Sequence, residues 1–285
     1  MTNSDEQPLR TDPAEYAAAE FELQSTGQAD YGNCVPSRLM RILFILCGVL
    51  LLVFALLLIV WAHASALIVV GLLCALVIAF TVYMELCRRL FAFDGGGLMG
   101  AMHQMVVDNL DWDGHGRLLD IGCGAAALTA RCAMTFPDGE FTGIDNWGAP
   151  RSRAKEQCEA NARAEGITAP MSFVEGDAAH LDFPDGSFDA VVSNFVFHEV
   201  HSEPDKRALV REALRVVRPG GAFSLQDLFA QPRLYGDMTA FVQELRAEGV
   251  SDIEYIPHTE NLIGAPSWVR TPWMIRNAGI LHGHR

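Results

Sequence analysis

Arg117–Gly124 reads RLLDIGCG, and the fold can be read outward from it. The apolar run Arg117–Gly122 is a strand, and it ends on an aspartate and two glycines one residue apart. Glycine permits backbone conformations that a Cβ forbids, so the strand turns sharply at its carboxyl end. Ala125–Phe136 then reads as a helix. The alternation repeats through a strand at Glu140–Asp145 (EFTGID), a polar helix at Arg151–Glu165 ending at Gly166, and strands at Met171–Asp177 (MSFVEGD) and Phe188–Asn194 (FDAVVSN). A helix over Lys206–Val217, stopped by Pro219-Gly220-Gly221, precedes a strand at Ala222–Leu228. Asp252–Pro257 and Ala278–His284 add two strands at one edge, separated by a turn-rich segment with Pro266 and Pro272. Strands alternating with helices predict an α/β domain, a doubly wound parallel sheet covered on both faces, over residues 93–285.

Ligands of such sheets bind at the carboxyl ends of the strands, and polar residues recur there. In Asp120-Ile121-Gly122-Cys123-Gly124 the glycines let a ligand lie against the backbone, and the following helix start offers unpaired N–H groups. Asp145 ends the second strand, where a carboxylate accepts two ribose hydroxyls; Asn146 follows, and Trp147 offers a ring to stack on a flat base. Gly176-Asp177-Ala178 follows the third strand, with a carboxylate suited to an adenine amino group. Ser193-Asn194 ends the fourth. Taken singly, each residue also suits a cap or turn, and the glycine turn and Asp145 also suit NAD or FAD.

Past the fourth and fifth strands stand His198, Glu199, His201 and Asp227. His198 is placed to take a proton from an acceptor or to line the pocket, and a hydrogen-bonded wall histidine is the alternative. His198 and His201 are three apart, one short of the H-E-x-x-H zinc pattern, so no metal is expected.

The amino-terminal third is different. From Ile42 to Met84 there is no Asp, Glu, Lys or Arg, a run of 43 residues. One straight helix of that length would reach about 65 Å at ~1.5 Å per residue, against a hydrocarbon core about 30 Å thick. Two spans fit instead, Ile42–Ala62 and Ala66–Met84, turning at His63-Ala64-Ser65. Arg38 and Arg41 precede the first and Arg88 and Arg89 follow the second, which places both flanks on the cytoplasmic side. Residues 38–89 are therefore expected to be a transmembrane hairpin. Residues 1–37 carry seven acids, one Arg and no apolar periodicity, the pattern of a disordered acidic tail. Asp94–Gly97 is a glycine-rich exit from the membrane segment.

The whole chain has 21 Lys and Arg against 35 Asp and Glu, a net charge of −14. No broad basic face is available to displace counterions from phosphates, which argues against nucleic acid as partner. The seven cysteines form no C-x-x-C pair, as expected for reduced, mostly buried thiols in a cytoplasmic setting.

Four stretches together resemble a known family: LLDIGCG at 118–124, GIDNW at 143–147, EGDAAHLDFPDGSFDAVVSNFVFHEV at 175–200 and LVREALRVVRPGG at 209–221. The chain is similar to the class I S-adenosylmethionine-dependent methyltransferases, especially the branch with quinone-biosynthesis and other small-molecule methyltransferases. Asp120, Gly122 and Gly124 match the family's first motif, Asp145 its ribose-binding acid, and Asp177 its adenine-contacting acid. Arg218–Gly221 matches the turn before its fifth strand, and Ala126 stands where the motif has a third glycine. The resemblance implies a Rossmann-like seven-stranded sheet with an antiparallel last strand, and S-adenosyl-L-methionine as cofactor. The expectation is a two-pass membrane enzyme, with its amino terminus and catalytic domain cytoplasmic, that methylates a small-molecule or lipid acceptor. The rival readings are an NAD(P)-dependent oxidoreductase and a catalytically idle membrane scaffold.

Overall fold

A computed structural model describes residues 29–61, 63–93, 97–147, 151–250 and 252–285, apart from the side chains of 151–153. The tail before residue 29, Ala62 at the end of the first expected span, and Asp94, Gly95 and Gly96 lie outside the described residues. The chain divides into two units. Gly32–Met99 is one, and residues 29–31 belong with Gly100–Arg285 in the other.

The first unit is a helical hairpin of α1 (Ser37–Ile59) and α2 (Ala64–Phe91). Both helices overrun the expected apolar spans at their charged ends, because the backbone ladder continues where the hydrophobic run stops. The turn falls earlier than expected: α1 ends at Ile59, His63 is the N-cap of α2, and Ala64 and Ser65 are already helical. Pro36 at the N-cap position sets the start of α1, and α2 runs on through the i,i+4 pair Glu85–Arg89, 2.9 Å apart. Arg88 Nη1 donates to the Val35 carbonyl at 2.5 Å and Asn33 Nδ2 donates to the Arg88 carbonyl at 2.9 Å. These bonds tie the entry of the hairpin to its exit. Thr81 satisfies its hydroxyl within α2, donating to the Val77 carbonyl at 2.7 Å, and meets Cys47 of α1 at 3.3 Å. Ile45, Leu52, Ile59, Leu72 and Leu76 are 60–70% exposed. By length and composition both helices are able to cross a membrane.

The second unit holds α3 (Leu98–Asp108, counted from Gly100 in this unit), β1 (Gly116–Ile121), α4 (Ala127–Thr135), β2 (Gly139–Asp145), α5 (Arg151–Ala164), β3 (Met171–Glu175) and β4 (Phe188–Asn194). It continues through α6 (Lys206–Val216), β5 (Val217–Asp227), α7 (Pro232–Tyr235), α8 (Met238–Ala247), β6 (Asp252–Pro257) and β7 (Gly279–His284). The seven strands form one sheet in the order β3-β2-β1-β4-β5-β7-β6. β1 to β5 are parallel, and β7 runs antiparallel to both β5 and β6.

Side-chain alternation along the strands divides the core between two faces. Leu119, Ile121, Phe223 and Leu225 pack with Leu209, Val210 and Ala213 of α6 and Phe241 and Leu245 of α8. Leu118, Phe141, Val192 and Ala222 pack with Val106 and Val107 of α3 and Leu128 and Cys132 of α4. Full burial of one such Leu or Phe contributes about 1.5–3 kcal/mol, and these two layers hold the strand tips in register.

The strands and helices anticipated in this unit are present, with one local difference. α6 ends at Val216 and β5 starts at once at Val217, so Pro219-Gly220-Gly221 lies inside the strand rather than before it. The extra residues are absorbed by a register shift: Val217 faces Phe188, while Ala222 faces Ala190. A Cβ at Gly221 would lie 2.8 Å from the Asp189 carbonyl, so the close approach requires glycine. α3, α7 and α8 were not anticipated. Asp237 caps α8, accepting from the N–H groups of Thr239 at 2.8 Å and Ala240 at 3.2 Å.

Candidate active site at the strand tips

The turn after β1 is built by its own backbone. The N–H groups of Gly122 and Cys123 both donate to the Ile144 carbonyl, at 2.7 and 3.1 Å, which fixes the turn against the end of β2. The two glycines have different tasks. Gly122 has φ +73°, and a Cβ there would lie 2.1 Å from Cγ2 of Val196, which closes over the turn from beyond β4. Gly124 has φ +54°, is exposed, and has nothing within 4 Å of where its Cβ would be. Packing requires the first glycine, whereas the space over the second is open. Ala126, at the third glycine position, also has φ +69° and is fully buried.

Asp145 joins the two loops of this crevice. One carboxylate oxygen accepts from the Gly124 N–H at 2.9 Å and the other from the Trp147 N–H at 2.8 Å. Each oxygen has a second lone pair, so two acceptor positions remain, as vicinal hydroxyls require. The Trp147 indole is half-buried and fixed, donating Nε1–H to the Gly124 carbonyl at 2.8 Å and packing against the cluster of Cys123, Ala126, Cys158 and Phe173. Asn146 is exposed beside it. Asp177 accepts from the Ala179 N–H at 2.9 Å and the Ser202 hydroxyl at 3.1 Å, with Ala178 half-buried next to it. At the end of β4 the Asn194 Oδ1 is buried without a hydrogen-bond partner among the described residues. Phe195, directly after it, has φ +56°. Trp147, with φ +32°, and Phe195 thus both hold strained backbone at strand tips, a feature that clusters at binding sites.

Asp120 and Cys123 lie beneath the crevice. Asp120 is 1% exposed and accepts the Thr129 hydroxyl at 2.6 Å. Burial raises its carboxyl pKa, the Thr129 hydrogen bond opposes the rise, and the nearby Asp145 charge adds to it, for a result of about 7. Cys123 is buried against Cys158, and its side-chain hydrogen bond with Cys158, together with burial, holds its thiol far above the ordinary range. Asn161 of α5, also fully buried, donates through Nδ2 to the carbonyls of Ala125 and Asp30, both at 2.9 Å. Its Oδ1 accepts from the Asp30 N–H at 2.9 Å and from Gln157 at 2.9 Å, so the segment before the hairpin is fastened to the β1 turn.

On the β4–β5 side, His198 sits in a short helical turn, Phe197–Glu199. Its Nδ1 lies 2.9 Å from Oδ1 of Asp227 at the end of β5. Asp227 is completely buried and held by the N–H groups of Leu228 at 2.6 Å and His198 at 3.3 Å. Burial disfavours the imidazolium, but the hydrogen bond and charge of Asp227 outweigh it and raise the His198 pKa above its ordinary value. With Nδ1–H given to the carboxylate, neutral His198 carries its lone pair on Nε2. Glu199 is exposed, 3.9 Å from Nε2, and His201 is exposed beyond it. Among the described residues, no group of three His, Cys, Asp or Glu side chains is arranged to hold a metal ion.

Residues 119–225, which contain all of these strand tips except Asp227, match the family model of a methyltransferase domain. This part of the chain is a methyltransferase domain. It is 36% identical over 111 residues to a sterol 24-C-methyltransferase of Aspergillus fumigatus, covering 39% of this chain and 27% of that protein. It is 37% identical over 136 residues to the 27-O-demethylrifamycin SV methyltransferase of Amycolatopsis mediterranei, covering 47% and 46%. With the demethylmenaquinone methyltransferase of Roseiflexus castenholzii the identity is 38% over 118 residues, covering 41% and 44%. The chain spans less than half the length of these curated relatives.

The methyltransferase domain brings Gly122, Gly124, Asp145, Asn146 and Trp147 together at the tips of β1 and β2, with Asp177 and Ala178 past β3 and Asn194 at the end of β4. Asp120 and Cys123 back the turn from below. The sequence reading missed Val196 as the wall over Gly122, Thr129 as partner of Asp120, and Asn161 as the fastening of the loop. Only Asn161 left a signal, as a polar residue on a helix in a position that becomes buried. Tyr235 was also missed. Its phenol pKa is raised by burial and by the neighbouring Asp227 charge.

Proposed function

We propose that this chain is a membrane-anchored S-adenosylmethionine-dependent methyltransferase that acts on a small-molecule or lipid-soluble acceptor at the cytoplasmic face of a membrane. The observation that carries the reading is the pairing of Asp145 with the Gly124 and Trp147 amides. A carboxylate fixed between two loops, with two acceptor positions left over, next to a glycine with open space above it, suits a ribose and the chain attached to it. The unpartnered Asn194 Oδ1 and the Asp177 carboxylate add acceptors for the amine-bearing ends of the ligand. Asp145 and Asp177 favour a cationic sulfonium, and the glycine turn Asp120–Ala126 carries no lysine for a phosphate. When bound, the cofactor supplies an electrophilic methyl group.

The protein's own part is to align and to remove a proton. Rigid strand tips hold the two reactants in line, which supplies much of the rate enhancement of a displacement. His198, oriented by Asp227, takes the proton from an acceptor hydroxyl or other protonated nucleophile at Nε2. The hairpin supports the membrane part of the reading. α1 would reach about 35 Å at ~1.5 Å per residue, enough for one crossing, and Arg38, Arg41, Arg88 and Arg89 flank its open end, as the cytoplasmic side favours.

The test is transfer from cofactor labelled in the methyl group, with membranes containing the full chain. Label in the organic extract supports a lipid-soluble acceptor. Label only in water-soluble products leaves the methyltransferase and removes the lipid acceptor, and no transfer to any extract removes both.

A further inference from the structure

The 258–278 loop joins β6 to β7, and strand register places it at the ligand end of the sheet. Pro257, Gly279 and Asp227 are neighbours across β6, β7 and β5, and Asp227 is the partner of His198. The loop is firmly built at its base. Buried Glu260 accepts from the N–H groups of Asn277 and Ala278, both at 3.0 Å, and the Ala230 N–H donates to the Asn277 carbonyl at 3.0 Å. Val269 and Ile275 are 0% and 2% exposed and anchor the loop inward. Its outward side is unusual for this unit. Trp273 is 71% exposed and Trp268 42%, and Val174 is the one other large hydrophobic residue exposed among the described residues of the unit. After Glu260 the sequence has no acid at all, while Arg270 and Arg276 fall between and beside the two tryptophans. An acid-free stretch with two arginines and two outward tryptophans, in a chain of net charge −14, is a local exception to the electrostatics of the whole.

We propose that this loop is a second membrane contact, distinct from the hairpin, which seats Trp268 and Trp273 among the headgroups of an anionic bilayer. Tryptophan favours that interface because its ring is apolar and its N–H is polar. Arginines near an anionic surface add attraction, whereas the acidic remainder of the domain is repelled. The contact sets the mouth of the His198–Asp227 side against the lipid, so that an acceptor dissolved in the bilayer enters without crossing bulk water. The choice of a bilayer as occupant rests on the reading of the hairpin as an anchor, but the contact itself requires no methyl transfer.

The full chain is reconstituted into vesicles containing anionic phosphatidylglycerol with bromine near the top of the acyl chains, and tryptophan emission is compared between wild type and Trp273→Phe. The difference isolates Trp273 from Trp61, Trp112, Trp147 and Trp268. The expected result is a difference emission that is lost in brominated vesicles, retained in unbrominated ones and insensitive to aqueous acrylamide. Loss of that quenching in Arg276→Glu, an exposed and conservative site for the fold, supports the electrostatic part. Quenching of Trp273 by acrylamide instead of by bromine overturns the proposal, as does quenching by neither, which means that protein covers the loop. Flotation of the same vesicles reports separately on the hairpin, so failure of the anchor is distinguished from failure of the loop.

Discussion

Nδ1 of His198 lies 2.9 Å from Oδ1 of Asp227, and that carboxylate is completely buried at the end of β5. An aspartate held there by two backbone amides fixes which nitrogen of the imidazole is left for chemistry. The ring is therefore oriented as well as raised in basicity, as the proposed role of a base requires.

The pH dependence of turnover follows from that pair. A base must be neutral, and the His198 pKa is raised above its ordinary value. Turnover should therefore rise with pH along a limb centred above about pH 6.5. In Asp227→Asn the raising influence is gone while burial remains, so the limb should move to lower pH. Loss of base orientation should lower the plateau, by roughly 10²-fold or more. Cofactor affinity should be unchanged in His198→Ala. Steady-state rates from pH 5 to 9 check both statements, and a limb that does not move in Asp227→Asn removes the pair from catalysis.

Gly122 and Gly124 should separate stability from binding. Gly122→Ala combines the strain of φ +73° with a Cβ 2.1 Å from Val196, so it should destabilise the domain by about 3 kcal/mol. Gly124→Ala meets no neighbour and should lower stability by only about 1 kcal/mol, while its methyl group enters the open cradle and weakens the cofactor. Denaturant unfolding of the full chain in detergent, followed by the domain tryptophans, gives the first quantity and a binding titration gives the second.

Asp120 should make the domain pH-sensitive. Its folded carboxyl pKa is about 7, above the ordinary value of 3.8. The folded state thus prefers the protonated form, so stability is greatest below about pH 4, falls as pH rises towards 7 and is level above that. The difference is on the order of 4 kcal/mol at ~1.4 kcal/mol per pKa unit. Asp120→Asn keeps an acceptor for the Thr129 hydroxyl and should flatten this dependence. Unfolding midpoints across pH 4–8 provide the check, and equal slopes in both proteins would contradict it.

Much of the fold was legible because parallel strands buried on both faces leave near-continuous apolar runs, as in Phe188–Asn194, and glycine marks their exits. The β5 boundary was misread because Pro219-Gly220-Gly221 carries the composition of a turn, whereas pairing to β4 tolerates a register shift there. α8 escaped notice although Asp237 is an ordinary N-cap, because its short apolar face makes sense only against the sheet. In the site, residues at strand tips could be found by position along the chain. Partners supplied by tertiary packing could not: Val196 over Gly122, Thr129 under Asp120 and Asn161 across to Ala125 meet only after folding. Ala126 shows both sides of this. The sequence marks it as a missing glycine, and the fold still holds it at φ +69°.

The most direct test of the crevice is calorimetric titration of the full chain, in detergent, with S-adenosylhomocysteine and, separately, with NADH, repeated on Asp145→Asn. An asparagine keeps one acceptor oxygen but turns an N–H group towards one of the two loop amides, so affinity should fall by about 2 kcal/mol, roughly thirtyfold. The expected result is saturable binding of S-adenosylhomocysteine by the wild type, that loss in the variant, and no binding of NADH. Binding of NADH in its place, or affinity for S-adenosylhomocysteine that ignores Asp145, would contradict it.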